Sequence, residues 1–196
     1  MSLTEEDYGF DAAGWCRAAA RLPSPNHDAR PDGLAVDLLV LHNISLPAGR
    51  FGTPYIYDLF SNRLDTRADP SFAELAGLRV SSHFLVARDG SLTQFVSTRE
   101  RAWHAGLSSF DGRERCNDFS IGIELEGSDE VPFEDAQYRV LAALTDTLAA
   151  AHPLRAVAGH EHIAPGRKTD PGPHFDWARY RALLDHRISG KLHFPA

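Results

Sequence analysis

Ala35-Val36-Asp37-Leu38-Leu39-Val40-Leu41 is a nearly continuous apolar run. A strand with one face in water alternates polar and apolar residues, whereas an unbroken run belongs to a strand covered on both faces. With the helical segments and the hairpin signal further along the chain, it points to a mixed α/β chain with a central mixed β-sheet flanked by helices. The run ends in His42-Asn43. A polar pair at the end of a buried strand is where open α/β sheets place their sites. A core histidine bonded to a backbone carbonyl is the plain alternative for His42.

Other segments supply the rest of the sheet and its cover. Ser120–Glu126 alternates, with Ile121, Ile123 and Leu125 on one face and Gly122, Glu124 and Glu126 on the other. Glu124 is thus a carboxylate displayed on a sheet face; an exposed glutamate paired with a neighbouring base is its simpler reading. Residues 81–87 and 92–96 flank Asp89-Gly90, a hairpin signal. His83, in the first of these, is expected to be buried and hydrogen-bonded rather than a ligand. Residues 134–151 carry Tyr138, Leu141, Leu144 and Leu148 at helical steps, with acidic residues at the positive end and Pro153 as the stop. Shorter helices are predicted at 12–20, 55–60 and 71–78, and a strand at 154–158. A last helix follows Asp176, its N-cap, with Trp177, Tyr180 and Leu184 on one face.

Between these lies Gly159-His160-Glu161-His162-Ile163-Ala164-Pro165-Gly166-Arg167-Lys168-Thr169-Asp170-Pro171-Gly172-Pro173, with three prolines and three glycines. It cannot be a regular helix or a central strand. A loop dense in charge and imidazole suggests a site more than a core. His160 at the strand end and Asp170, brought back by the loop, are donors of the kind zinc takes. Lys168 lies close enough in sequence to reach the same cavity. Two other readings stand beside this one: a polar surface connection with locally bonded side chains, and a His160-x-His162 metal pair on one strand face, for which no further cluster follows at short spacing.

At 196 residues the chain fits one domain with a substantial core, and 43% hydrophobic and 24% charged residues are ordinary for a soluble globular protein. The formal charge of −7 argues against general nucleic-acid or anionic-membrane binding but allows a local basic pocket. Cys16 and Cys116 are far apart, in no metal-like spacing, and are read as buried free thiols. The acidic start, Met1-Ser2-Leu3-Thr4-Glu5-Glu6-Asp7, lacks a basic, apolar export signal, and no stretch is long enough to span a membrane. The chain is expected to stay in the cytoplasm.

His42, Glu124, His160, Lys168 and Asp170 form a set. With Val40-Leu41-His42-Asn43-Ile44-Ser45-Leu46-Pro47, Leu78-Arg79-Val80-Ser81, Arg101-Ala102-Trp103-His104-Ala105-Gly106, the stretch from Gly112 to Gly127, and that from Gly166 to Pro173, the sequence resembles the zinc-dependent N-acetylmuramoyl-L-alanine amidases of the peptidoglycan-recognition and phage-lysozyme-type fold. Broader relatives often carry cysteine where this chain has Asp170 and tyrosine where it has Glu124, so the match points to the AmpD-type branch. The resemblance runs from about Pro23 to the final helix.

The resemblance implies zinc bound by His42, His160 and Asp170, catalysis by Glu124 and Lys168, and a substrate groove lined by Asn43, Arg79, Trp103 and Arg115. It implies a single amidase domain over 1–196, with a leader at 1–22 and a tail at 190–196 of unassigned role. The implied reaction is hydrolysis of the lactoyl–L-alanine amide of anhydro-muramyl peptides in peptidoglycan recycling. The implied partner is that small substrate, with no nucleic acid, membrane or obligate protein. A non-catalytic muropeptide sensor and an amidase acting on polymeric wall are the alternatives. The chemistry agrees: three protein ligands leave a zinc position open, a carboxylate can move a proton, and an ammonium can steady an oxyanion.

Overall fold

The computed structural model describes residues 8–195; the acidic start, residues 1–7, and Ala196 lie outside the described residues. A six-stranded sheet runs in the order β1 (Ala20–Arg21), β5 (Leu92–Gln94), β4 (Phe84–Val86), β9 (Ser120–Glu126), β3 (Leu38–Ile44), β10 (Ala156–Gly159). Its neighbours pair in parallel except for the antiparallel β4–β5 hairpin, so the sheet is mixed as expected. Two small antiparallel pairs lie outside it: β2 (His27–Ala29) with β6 (Glu100–Ala102), and β7 (Ser109–Phe110) with β8 (Arg113–Glu114). The helices are α1 (Tyr55–Phe60), α2 (Asp135–Ala151), α3 (His160–Ile163), α4 (Trp177–Leu183) and α5 (His186–Ser189).

The buried run does what its composition demands. Leu39 and Leu41 face the same cluster as Ile121, Ile123 and Leu125, where Tyr138, Leu141, Leu144 and Leu148 of α2 and Tyr180 of α4 pack on them. Leu38 and Val40 turn to the opposite face, against Ala105, Cys116, Phe119, Ala156 and Ile163. Each fully buried leucine contributes about 2 kcal/mol by leaving water. Among the described residues no long helix covers the second face, and there the even-numbered positions of β3 and β9 continue into His42 and Glu124.

Gln137 ties α2 to the sheet. Its Oε1 accepts from the Glu134 amide at 3.0 Å, and its Nε2 donates to the carbonyls of Val86 at 3.2 Å and Glu126 at 3.0 Å. Thr145 and Tyr180, both fully buried, join α2 to α4 through a 2.7 Å hydroxyl contact. Asp176 caps α4 by accepting from the Arg179 amide, as read from the sequence. Cys16 and Cys116 are buried and free.

Three local expectations are corrected. Residues 12–20 form no helix: the Asp11 carboxylate accepts from the Ala13 and Trp15 amides, turning the chain, and Cys16 then bridges back to Phe10. The predicted helix at 71–78 is a 3-10 segment, Pro70–Leu75, which buries only Phe72 and so lacks the apolar stripe that holds an α-helix. The loop after Gly159 begins with one helical turn, α3, in the four residues ahead of the Pro165 break, where the Ala164 amide donates to the His160 carbonyl at 2.9 Å.

Candidate active site

Register assembles the site. In β3 and β9, His42 lies opposite Glu124; in β10 and β3, Gly159 lies opposite Leu41. His160, one residue beyond Gly159, therefore falls beside His42 in the same row, at the carboxyl ends of three parallel strands. Asp170 is returned by the loop, whose close approach needs a glycine. A Cβ at Gly159 would lie 2.6 Å from Pro171 Cδ and 2.9 Å from His162 Nδ1. The Glu161 amide donates to the Asp170 carbonyl at 2.9 Å and holds the return.

Three donor atoms converge. His42 Nδ1 is 2.9 Å from Asp170 Oδ2 and 3.0 Å from His160 Nδ1, and His160 Nδ1 is 3.1 Å from Asp170 Oδ2. His160 Nε2 faces the Ala105 carbonyl at 3.2 Å, which can only accept. A His160 ring that carries its proton on Nε2, toward this carbonyl, presents a bare Nδ1 lone pair to Asp170 Oδ2. Two Lewis bases facing each other at that distance repel unless a cation lies between them. The donor set thus fits a metal ion, and two imidazoles with one carboxylate are borderline N/O ligands of the zinc type. His162 is not part of it; its Nδ1 accepts from the Gly159 amide at 2.9 Å, which removes the His-x-His reading.

Glu124 is not the exposed strand glutamate of the simpler reading. It is 7% exposed, and its Oε2 has no hydrogen-bond partner among the described residues. Burial raises its pKa well above the ordinary carboxylate value; the Asp170 charge adds to this and Lys168 opposes it. Burial likewise lowers the pKa of His42. Lys168 is exposed, yet its charge is felt at both Glu124 and His42.

The other predicted residues spread outward. Asn43 is half-buried and donates to Asp129 Oδ1 at 2.7 Å and the Pro171 carbonyl at 3.1 Å, pinning the returning loop. Trp103 is half-buried, its Nε1 donating to Asp28 Oδ1 at 3.2 Å. Arg115 is exposed, has a left-handed backbone with φ 61°, and pairs with Asp118 at 3.3 Å. It lines a cavity of about 440 Å³ together with Gly106, Leu107, Ile163 and Arg167. Arg79 is exposed on the segment leading into β4. His83 is buried, its Nδ1 accepting from the Gly122 amide at 3.0 Å, the hydrogen-bonded role expected of it.

Sequence reasoning assigned nothing to two residues at the site. Arg167 donates to the carbonyls of Ala105 and Leu107 and clamps the cavity wall. His104 touches His42, its Nδ1 3.0 Å from His42 Nε2. Both lie inside the motif stretches, but their partners are remote in sequence and leave no local pattern.

A buried carboxylate with an unpartnered oxygen beside a His–His–Asp set that could hold a metal ion, at the strand ends of a mixed sheet, is the arrangement a hydrolase can use. The profile of the N-acetylmuramoyl-L-alanine amidase family matches residues 32–173, and this chain belongs to that family. Within it, the 1,6-anhydro-N-acetylmuramyl-L-alanine amidase AmpD of Citrobacter freundii is 58% identical over 173 residues, covering 87% of this chain and 92% of the relative. A crystal structure of a Se-Met AmpD derivative matches with a TM-score of 0.86 at 55% identity, over 90% of this chain and 99% of that one. The N-acetylmuramyl-L-alanine amidase AmiD from E. coli, in complex with the substrate anhydro-N-acetylmuramic acid-L-Ala-D-gamma-Glu-L-Lys, matches with a TM-score of 0.58 at 30% identity, over 85% of this chain and 63% of that one.

Proposed function

We propose that this chain is a zinc-dependent amidase that hydrolyses the bond between the lactoyl group of anhydro-N-acetylmuramic acid and L-alanine, in cytoplasmic recycling of peptidoglycan. The observation that carries this is the convergence of His42 Nδ1, His160 Nδ1 and Asp170 Oδ2 beside a buried carboxylate with one open oxygen. The AmpD-type relatives support the substrate, and the motif resemblance supports the cytoplasm.

His42, His160 and Asp170 would hold the zinc. When bound there it supplies Lewis acidity to the amide carbonyl and eases deprotonation of the attacking water. Glu124 takes that water's proton on its unpartnered oxygen and passes it to the leaving amine. Its raised proton affinity suits a carrier that must hold a proton between the two steps. Lys168 places an ammonium where the carbonyl oxygen gains negative charge. Arg115 and Arg79 meet stem-peptide carboxylates by paired hydrogen bonds, which lets an acidic chain bind an acidic ligand locally. Trp103 borders the sugar. Asn43 acts mainly through the loop it pins.

The test combines zinc analysis with mass spectrometry of an anhydro-muramyl tripeptide digest. One zinc per chain and free tripeptide are expected. Bound but intact substrate would make the chain a sensor, and cleavage confined to polymeric wall would make it a lytic amidase. Asp170→Ala should lower zinc content and activity together; full occupancy in that variant at limiting metal would overturn the ligand assignment.

A further inference from the structure

The contacts behind His42 have only one consistent proton order. Ser120 Oγ lies 2.6 Å from the Cys116 carbonyl, and a carbonyl cannot donate, so the hydroxyl proton is spent there. Toward His104 Nε2, at 3.2 Å, the same oxygen can then only accept, and His104 must carry its proton on Nε2. The His104 ring is buried, with His42 and Ser120 as its hydrogen-bonding partners and the ring edge of His83 beside it. No carboxylate is among them. With one proton on Nε2, the neutral ring leaves Nδ1 bare. Its 3.0 Å contact with His42 Nε2 is then a hydrogen bond donated by His42. His42 has its proton on Nε2, and its Nδ1 lone pair points to His160 and Asp170.

We propose that His104 and Ser120 are positioning residues: a relay that starts at the Cys116 carbonyl fixes the tautomer of His42 and delivers its Nδ1 to the metal. The seat of His104 is built for this. Its amide and that of Ala105 both donate to Asn117 Oδ1, at 3.1 and 2.8 Å. Gly122 makes room for the ring, since a Cβ there would come within 2.5 Å of His104 Cγ. Ser120 and Gly122 are alternate residues of β9 on the face that also presents Glu124. One strand thus supplies the relay's acceptor, the space for its ring and the nearby carboxylate. The dipeptide 104–105 orients both histidine ligands, His42 through the His104 ring and His160 through the Ala105 carbonyl.

The inference assumes the zinc reading above, so the test separates the two. Zinc is titrated into the full chain against a chelating indicator; a wild-type chain that takes up no zinc overturns the metal reading. The relay is read independently from side-chain ¹⁵N spectra of the zinc-loaded wild type. Protons on Nε2 of both His42 and His104, with His104 Nδ1 bare, are expected. A proton on His104 Nδ1, or a bare His42 Nε2, overturns the relay without any substitution. Two variants then separate the hydrogen bond from mere packing. His104→Leu removes the acceptor and should weaken zinc binding by about ten- to a hundredfold, the usual cost of losing such an outer partner. His104→Asn keeps an acceptor oxygen near the position of Nδ1 and should recover most of that loss. Equal zinc affinity in His104→Leu and wild type, or an equal loss in the folded Leu and Asn variants, overturns the proposal. Should the leucine variant fail to fold, the wild-type spectra still decide.

Discussion

Glu124 is the residue whose surroundings say most about chemistry. A buried carboxylate oxygen without a partner is costly, and such groups persist where something else benefits. Glu124→Gln keeps size and polarity but cannot take up a proton as a carboxylate does. Near-normal zinc content and folding are expected, with amide cleavage falling by roughly a hundredfold to ten-thousandfold. Lys168→Met should also retain zinc while losing oxyanion stabilisation, on the order of a hundredfold in rate. Zinc per chain measured beside the cleavage rate checks both; a Glu124→Gln protein with an undiminished rate would remove Glu124 from the mechanism. Arg115 poses a different question, because its side chain is exposed and its ion-pair partner among the described residues, the buried Asp118, is also held by Arg101 at 3.0 Å. Arg115→Ala should therefore leave folding unchanged and slow turnover of a tripeptide substrate more than that of a muramyl–L-alanine substrate. Equal losses on the two would make this arginine structural.

At the scale of elements, Gln137 carries more than its place on α2 suggests. It satisfies the Glu134 amide and fills the carbonyls of Val86 and Glu126, at the carboxyl ends of β4 and β9. Gln137→Ala strips three backbone groups at once in a position 1% exposed. A loss of about 2 kcal/mol or more is expected, since each buried group left unsatisfied costs about 1–3 kcal/mol. Denaturant unfolding measures it, and a change below about 0.5 kcal/mol would mean water or a neighbour replaces the amide. The same residue shows what sequence can and cannot disclose. The α2 helix and strand β9 were legible because apolar periodicity is local and repeats over many residues. Gln137 was invisible as a brace because its acceptors are 51 and 11 residues away. The metal set was legible for a different reason: three donor types in long motifs matched a known family, while register alone explains why His42, Glu124 and His160 share a row. His104 stayed hidden because its role depends on Ser120 and Gly122 sitting across from it.

The whole molecule couples these parts to pH through its buried histidines. His83 accepts from the Gly122 amide through Nδ1, and its Nε2 faces the Glu100 carbonyl at 3.1 Å. An Nδ1 that accepts has no proton of its own, so this ring is neutral in the folded chain. Burial lowers its pKa well below the ordinary value, and the Arg30 guanidinium, 3.0 Å away, adds to the shift. His152, which closes α2, is lowered to about 4, first by burial and then by Arg30 and Arg99. In the unfolded chain an imidazole takes its proton near pH 6.5. Between that value and the folded pKa the unfolded state binds more protons, so stability is full above about pH 6.5 and is lost as pH falls. For His152 the window runs from about 6.5 down to about 4. Its share at pH 5 is about 1 kcal/mol once solvent screening of a partly exposed ring is allowed for. His152→Gln cannot be protonated, so its unfolding free energy should drop less between pH 7 and pH 5 than that of the wild type, by about that amount. Both proteins are compared with zinc saturating, so that acid weakening of the metal ligands is common to the two and cancels. An equal drop in both would show that His152 is already free to take its proton in the folded chain, and that the acid sensitivity lies with His83, His42 and His104, which burial also lowers.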